Sequence, residues 1–136
     1  MPDGLTDDAR RAIEWDCATL INLYATLNDA ARWAEVAALY TEDGSMTRPS
    51  APDAPIVGRD AILAAFESRP ARTTRHVTAN IVVTVLDADT ATATSAMLLF
   101  TAANAPPLIG GFADLLHRVP GEGWRFAERR GTLTFA

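Results

Sequence analysis

Between Ile13 and Asn28 apolar side chains return every three or four positions. Ile13, Cys17, Leu20, Ile21, Tyr24, Leu27 and Asn28 thereby share one face of a predicted helix. Thr6, followed by Asp7 and Asp8, supplies an N-cap with acids in the first turn, where the helix dipole favours them. Asn28-Asp29 interrupts the pattern. A second, shorter helix presents Trp33, Val36, Ala37 and Tyr40 on a common side and ends in the turn chemistry of Glu42-Asp43-Gly44. From Arg48 to Pro55 three prolines predict a loop without regular structure. A third helix runs from about Arg59 to Ser68, buries Ile62, Leu63 and Phe66, and is stopped by Pro70.

The remainder is strand-like. Thr73–Leu86, Thr90–Ala102, Leu108–Val119 and Trp124–Phe135 are long and rich in Thr, Val, Leu and aromatics. Asp87-Ala88-Asp89 and Pro120-Gly121-Glu122-Gly123 have hairpin-turn composition, and Asn104-Ala105-Pro106-Pro107 makes a longer connection. Helices followed by an antiparallel run of strands mean an α+β fold with helices on one sheet face. Long strands curl, and a curled sheet with helices across its open side encloses a pocket.

The strand alternation contains a conflict. From Val77 to Val85 the apolar residues hold odd positions, which turns His76, Thr78 and Asn80 to the opposite face. A bulge that switches faces resolves this, and so does a second subunit covering the odd face. In the last strand Trp124 and Phe126 share one parity and Leu133 and Phe135 the other, with Gly131 the natural place for a kink. Both strands are therefore expected to bend, with both sheet faces partly covered, as in a homodimer. Trp15, Trp33, Phe66, Phe100 and Phe112 are expected in the core first and as pocket lining second.

Composition narrows the classes. The 136 residues are 49% hydrophobic and 21% charged, as expected of one globular domain spanning 1–136. The net charge of -5, with arginines scattered among acids, argues against nucleic acid as a partner, because phosphate neutralisation needs clustered cations. Cys17 is the only cysteine and falls in the apolar helical pattern, so it reads as a buried thiol. The stretch Met1-Pro2-Asp3-Gly4-Leu5-Thr6-Asp7-Asp8 is acidic and lacks the apolar run of a signal peptide. No segment reaches membrane-span length, so a cytoplasmic protein with no membrane partner is expected. Two histidines and one cysteine, far apart, give no metal-ligand spacing, and Gly110-Gly111 is no phosphate or dinucleotide loop, so no cofactor is expected.

Tyr24, Asn28-Asp29, Trp33, Leu39-Tyr40, Asp43-Gly44, Gly58, Thr74-Arg75-His76, Asn80 and Gly123-Trp124-Arg125-Phe126, in this order of elements, resemble the SnoaL-like branch of the nuclear transport factor two superfamily. Scytalone dehydratase and hexachlorocyclohexane dehydrochlorinase belong to that branch. The resemblance spans nearly the whole chain. It implies a cone-shaped α+β barrel of cystatin-like topology, with helices packed on a curved, mostly antiparallel sheet around one apolar pocket, commonly dimeric or trimeric. It also implies that Asp29, at the end of the first helix, pairs with His76, early in the long strand. Trp124-Arg125-Phe126-Ala127-Glu128-Arg129 is similar to the dehydrochlorinase's final strand and puts Arg129 at its arginine. Leu108-Ile109-Gly110-Gly111 is similar to the segment before that strand. Two departures stand out: no counterpart of scytalone dehydratase's second catalytic histidine is found, and Asn28 stands where that enzyme has tyrosine.

A neutral imidazole accepts protons near pH 7, and a carboxylate on its other nitrogen fixes the tautomer and stabilises the imidazolium. With no serine or cysteine paired to it, such a dyad suits elimination or isomerisation begun by C–H abstraction. Arg129 can bind developing negative charge, and Tyr24 and Asn28 can donate into the pocket. Plainer readings stand beside these. Asp29 is also a good N-cap for the helix of Trp33, and His76 a half-exposed sheet residue. Arg129 can serve as ion-pair partner of Glu128 or Asp114, and His117 faces solvent or a neighbouring subunit. The leading expectation is a cofactor-free lyase or isomerase acting on a small, mostly apolar oxygenated ring compound, aromatic or polyketide-like, with His76 as base. A non-catalytic ligand-binding or assembly module and a hydrolase activating water through Asp29 are the alternatives.

Overall fold

Thr6 accepts a hydrogen bond from the Ala9 amide at 3.1 Å and starts α1 (Asp7–Asp29), whose buried face is the one the spacing predicts, Ile13 through Asn28. The structure, a computed structural model, describes residues 4–135; the signal-peptide reading of Met1, Pro2 and Asp3 and the last residue of the expected 1–136 unit lie outside them. Trp15 departs from expectation. It is on the solvent side of α1, 74% exposed, because the apolar stripe is already filled by its neighbours at helical spacing.

The second helix is shorter than the pattern suggests. α2 (Trp33–Ala37) ends before Tyr40, which opens strand β1 (Tyr40–Arg48). Glu42-Asp43-Gly44 is therefore inside a strand, not at a helix end. Its turn chemistry survives as an irregularity: Thr41 Oγ1 donates to Asp43 Oδ1 at 3.1 Å, and the pairing of β1 slips between Tyr40 and Ser45. A Cβ at Gly44 would come within 3.0 Å of the Phe126 and Thr41 carbonyl oxygens.

The proline-rich stretch is also not a loop. After Pro49 and Ser50 the chain forms β2 (Ala51–Val57), antiparallel to β1 through Ser45↔Val57, Met46↔Ile56 and Arg48↔Ala51. β2 is at the sheet edge, where a proline that lacks an N–H costs little on the open side. Then α3 (Arg59–Glu67) buries Ile62 and Phe66, with Leu63 partly buried, as expected.

Strands β3 (Arg75–Asp87), β4 (Thr90–Phe100), β5 (Leu108–Val119) and β6 (Gly123–Leu133) follow within a few residues of their predicted bounds. All six strands form one sheet in the order β2-β1-β6-β5-β4-β3, antiparallel except for the parallel pair β1/β6. The fold is α+β, with α1 packed on β3 and β6 and the core between them built from residues such as Ile21, Val85, Leu116 and Phe126. Phe100, expected in the core, is 36% exposed at the end of β4. Among the described residues no helix is long and apolar enough to cross a membrane.

Two bulges resolve the parity conflict. In β3, Ala79 pairs with Ala96 but Val82 with Thr94, so β3 carries one extra residue, and Asn80 takes a left-handed φ of 54°. Even positions face inward before the bulge and odd ones after it. In β6, Glu128 pairs with Leu115 but Phe126 with Leu116, which leaves Ala127 extra. The switch is at Ala127 rather than at Gly131. Gly131 serves a different purpose, since a Cβ there would be 2.6 Å from Pro49 Cδ, and its amide donates to Thr47 Oγ1 at 3.2 Å. Phe135 lies past the end of β6 and is exposed.

Candidate functional site

A cavity of about 430 Å³ lies between α1, the segments flanking α3 and the inner face of the sheet. Its apolar wall includes Ile21, Phe66, Met97, Leu99 and Phe112. His76 and Thr78 reach it because the bulge at Asn80 allows even positions of β3 to face inward there.

Asp29 is the last residue of α1, where the partial negative charge of the helix end disfavours a carboxylate. Three donors offset this. Thr74 Oγ1 donates to Asp29 Oδ1 at 2.9 Å, the His76 amide to Oδ2 at 2.8 Å, and His76 Nδ1–H to Oδ1 at 2.5 Å. Both side chains are largely buried, each 15% exposed. The cap reading of Asp29 is not what the structure shows: the N-cap of α2 is Arg32, with no side-chain capping bond. With Nδ1 bound to the carboxylate, the neutral ring carries its lone pair on Nε2, and His76 lines the cavity. An imidazole held this way offers that nitrogen as a proton acceptor to a ligand in the cavity.

Tyr24 and Asn28, both buried on α1, line the same cavity. The Tyr24 hydroxyl hydrogen-bonds that of Tyr40 at 2.9 Å. Burial raises the pKa of both phenols, Tyr40 well above its ordinary value, so both stay protonated as donors.

Arg129 faces the cavity and meets Asp114. It lines the cavity, its guanidinium carbon stacks 3.9 Å from the Phe112 ring centre and 4.4 Å from that of Tyr24, and its Nε is 3.3 Å from Asp114 Oδ1. Glu128 is not its partner; it pairs with Arg130 at 3.3 Å. Asp114 is fully buried, and burial pushes its carboxyl up to about 6 against the opposing charge of Arg129. His117 is exposed. Cys17 is buried and its thiol is pushed up to about 12, chiefly by burial, which makes it a poor nucleophile. Among the described residues no three His, Cys, Asp or Glu side chains are grouped to hold a metal ion.

Sequence reasoning did not single out Thr74, Tyr40, Arg48, Arg69 or Arg72 as site residues. Thr74 had a signal, because two residues before His76 in extended chain is the same face. Tyr40 was hidden by its assignment to a helix, and the arginines by their loop context.

Several solved structures share this fold. A provisionally named scytalone dehydratase from Novosphingobium aromaticivorans matches with TM-score 0.83 and 24% identity, over 96% of this chain and 89% of that one. An NTF2-like protein with a cystatin-like fold from the same organism matches with TM-score 0.80 and 26% identity, over 95% and 88%. A protein from Catenulispora acidiphila in complex with S-DNPA matches with TM-score 0.74 and 19% identity, over 90% and 94%. No curated protein matches the chain. Residues 9–130 match the SnoaL-like domain, and with the helices, mixed sheet and cavity arranged as above the chain belongs to that family, in an NTF2-like, cystatin-like fold.

Proposed function

We propose that the chain is a cofactor-free lyase or isomerase that removes a proton from carbon in a small, mostly apolar oxygenated ring compound. His76 Nε2 takes the proton and Asp29 holds the ring and stabilises the imidazolium. The observation that carries this reading is the 2.5 Å contact of His76 Nδ1 with Asp29 Oδ1 at the wall of the cavity. Arg129, Tyr24 and Asn28 line that cavity as donors toward an oxygen that gains charge as the proton leaves. The Catenulispora relative holding S-DNPA and the provisionally named dehydratase support a small organic ligand in such a cavity.

Water activation by Asp29 is less favoured. Its two oxygens already accept three hydrogen bonds, from Thr74 and His76, and are committed to those donors rather than to a water.

Hydrogen–deuterium exchange at the carbon beside the carbonyl of 1-tetralone and related cyclic ketones, followed by mass spectrometry, tests the reading without knowing the natural reaction. Exchange catalysed by the wild type should fall about 100-fold or more in His76→Ala and by a smaller factor in Asp29→Asn. Equal exchange by wild type and His76→Ala, with both folded, overturns it.

A further inference from the structure

The polar lining of the cavity is lopsided in charge. Arg48, Arg69, Arg72 and Arg129 all line it, and among the described residues no aspartate or glutamate does. Arg129 has its counter-charge in Asp114. The other three have none among the described residues. Arg48 donates through one Nη2 to the Ala65 carbonyl at 3.0 Å, and its buried Nε has no hydrogen-bond partner. Arg69 lies over the Phe66 ring, its guanidinium carbon 4.4 Å from the centre, and that ring stacks on Trp33. Burial, and then the charges of Arg48 and Arg72, lower the Arg69 pKa from its ordinary value. The chain as a whole carries -5, so this positive charge is a local concentration and not a background.

Arg48 and Arg69 are half-buried and Arg72 is exposed at the rim; three like charges so close repel one another, and a bound anion relieves that repulsion. Their location matters for the dyad. Arg69 and Arg72 belong to the connection from α3 to β3, and that connection runs on into Thr74 and His76. Arg69, Arg72 and Thr74 also line a smaller adjoining hollow with Asn28 and Trp33. The segments that bring the arginines contain Pro49 and Pro70, which lack the N–H groups that an amide cradle for phosphate uses. Planar guanidinium forks beside an apolar wall suit a carboxylate on a ring.

We infer that the ligand of this cavity is an ionised ring carboxylic acid, its carboxylate held by Arg69 and Arg72 with Arg48 beside them, where the cavity adjoins the hollow lined by Thr74. As a statement about binding this stands apart from the proton-transfer reading. As a statement about substrate it rests on that reading.

Isothermal titration calorimetry of the full chain with benzoate, 1-naphthoate and 2-naphthoate, each against its neutral methyl ester, tests the inference at pH 7. At least one acid should bind about tenfold or more tightly than its ester, and the preference should shrink with added salt. In the double variant Arg69→Gln/Arg72→Gln, shown by circular dichroism to be folded, the acid should fall to the affinity of the ester. No acid outbinding its ester overturns the inference, and so does a preference that survives in the folded double variant. The acid–ester comparison in the wild type needs no variant to fold. Acid preference without His76-dependent exchange counts against the proton-transfer reading alone; such exchange without acid preference counts against the carboxylate alone.

Discussion

Asp29 sits where the dipole of α1 opposes it, so its aim depends on the three donors it receives. Thr74 supplies the one donor that does not belong to His76, which makes it a positioning residue. Thr74→Val should slow 1-tetralone exchange about tenfold with little change in KM, and Thr74→Ser should restore it; a variant with unchanged kcat would show that the dyad holds itself. The second buried pair makes a pH prediction. Asp114 has neither carboxylate oxygen in a well-formed hydrogen bond, and its pKa rises from the ordinary 3.8 to about 6. A folded-state pKa above the unfolded one means that the native chain binds the extra proton between those values. The contribution of Asp114 to stability is therefore greatest below about pH 4 and is lost as pH rises through about 6. The stability advantage of the wild type over Asp114→Asn, measured by urea melts, should thus be larger at pH 4.5 than at pH 7. The Asp29–His76 pair, 47 positions apart, was legible only as a set of residues in family order. No periodicity joins an aspartate at a helix end to a histidine in a distant strand. Arg48, Arg69 and Arg72 were not legible at all, because which arginines at a strand end or in a connection line a cavity is decided by how those segments fold over it.

At the scale of elements, the helices and long strands were readable because their apolar periods are undisturbed, and the misreadings cluster where local chemistry conflicts with pairing. Three prolines mark a loop by propensity, yet two of them, Pro52 and Pro55, are in β2, at an edge where one side of the ladder has no partner to lose. Asp43-Gly44 has turn composition and forms an irregular strand segment instead, between the β6 pairs Tyr40↔Phe126 and Ser45↔Glu128. The bulges are the informative case. Strict alternation would have put His76 on the outer face, and the single extra residue at Asn80 reverses the side chains before it. Asn80 adopts φ 54°, a conformation that asparagine and glycine accept and β-branched residues resist. Asn80→Gly should stay within about 0.5 kcal/mol of the wild type, whereas Asn80→Val should lose about 1–2 kcal/mol in urea melts. The valine variant should also exchange 1-tetralone more slowly, because its strain is relieved by moving the segment that carries His76. Equal stability of the two variants would mean that the bulge does not depend on the left-handed residue.

For the molecule as a whole, the bulge explains how His76 faces the cavity but leaves a second question, what covers the other side of the same strand. Val77, Leu98 and Ile109 are cross-strand neighbours on the outer face; Val77 is 44% and Ile109 40% exposed, and Val82, Leu86 and Phe100 are exposed beside them. β3 is also an edge strand of 13 residues, a length of open ladder that proteins seldom leave bare. A chain with net charge -5 stays dispersed by repulsion, yet that does not remove the incentive to bury such a patch. A homo-oligomer built on this face, dimer or trimer, would bury the patch. Val77→Glu with Ile109→Glu would set carboxylates against their own copies across a symmetric interface, where like charges are costly. Light scattering after size exclusion should then show the wild type as an oligomer and the double variant as a monomer, while a monomeric wild type would leave the outer face without a partner of its own kind. Because Val77 alternates with His76 and Thr78 along β3, docking on one face steadies the residues on the other. The monomeric variant should for that reason lose part of its 1-tetralone exchange even though neither substitution touches the cavity.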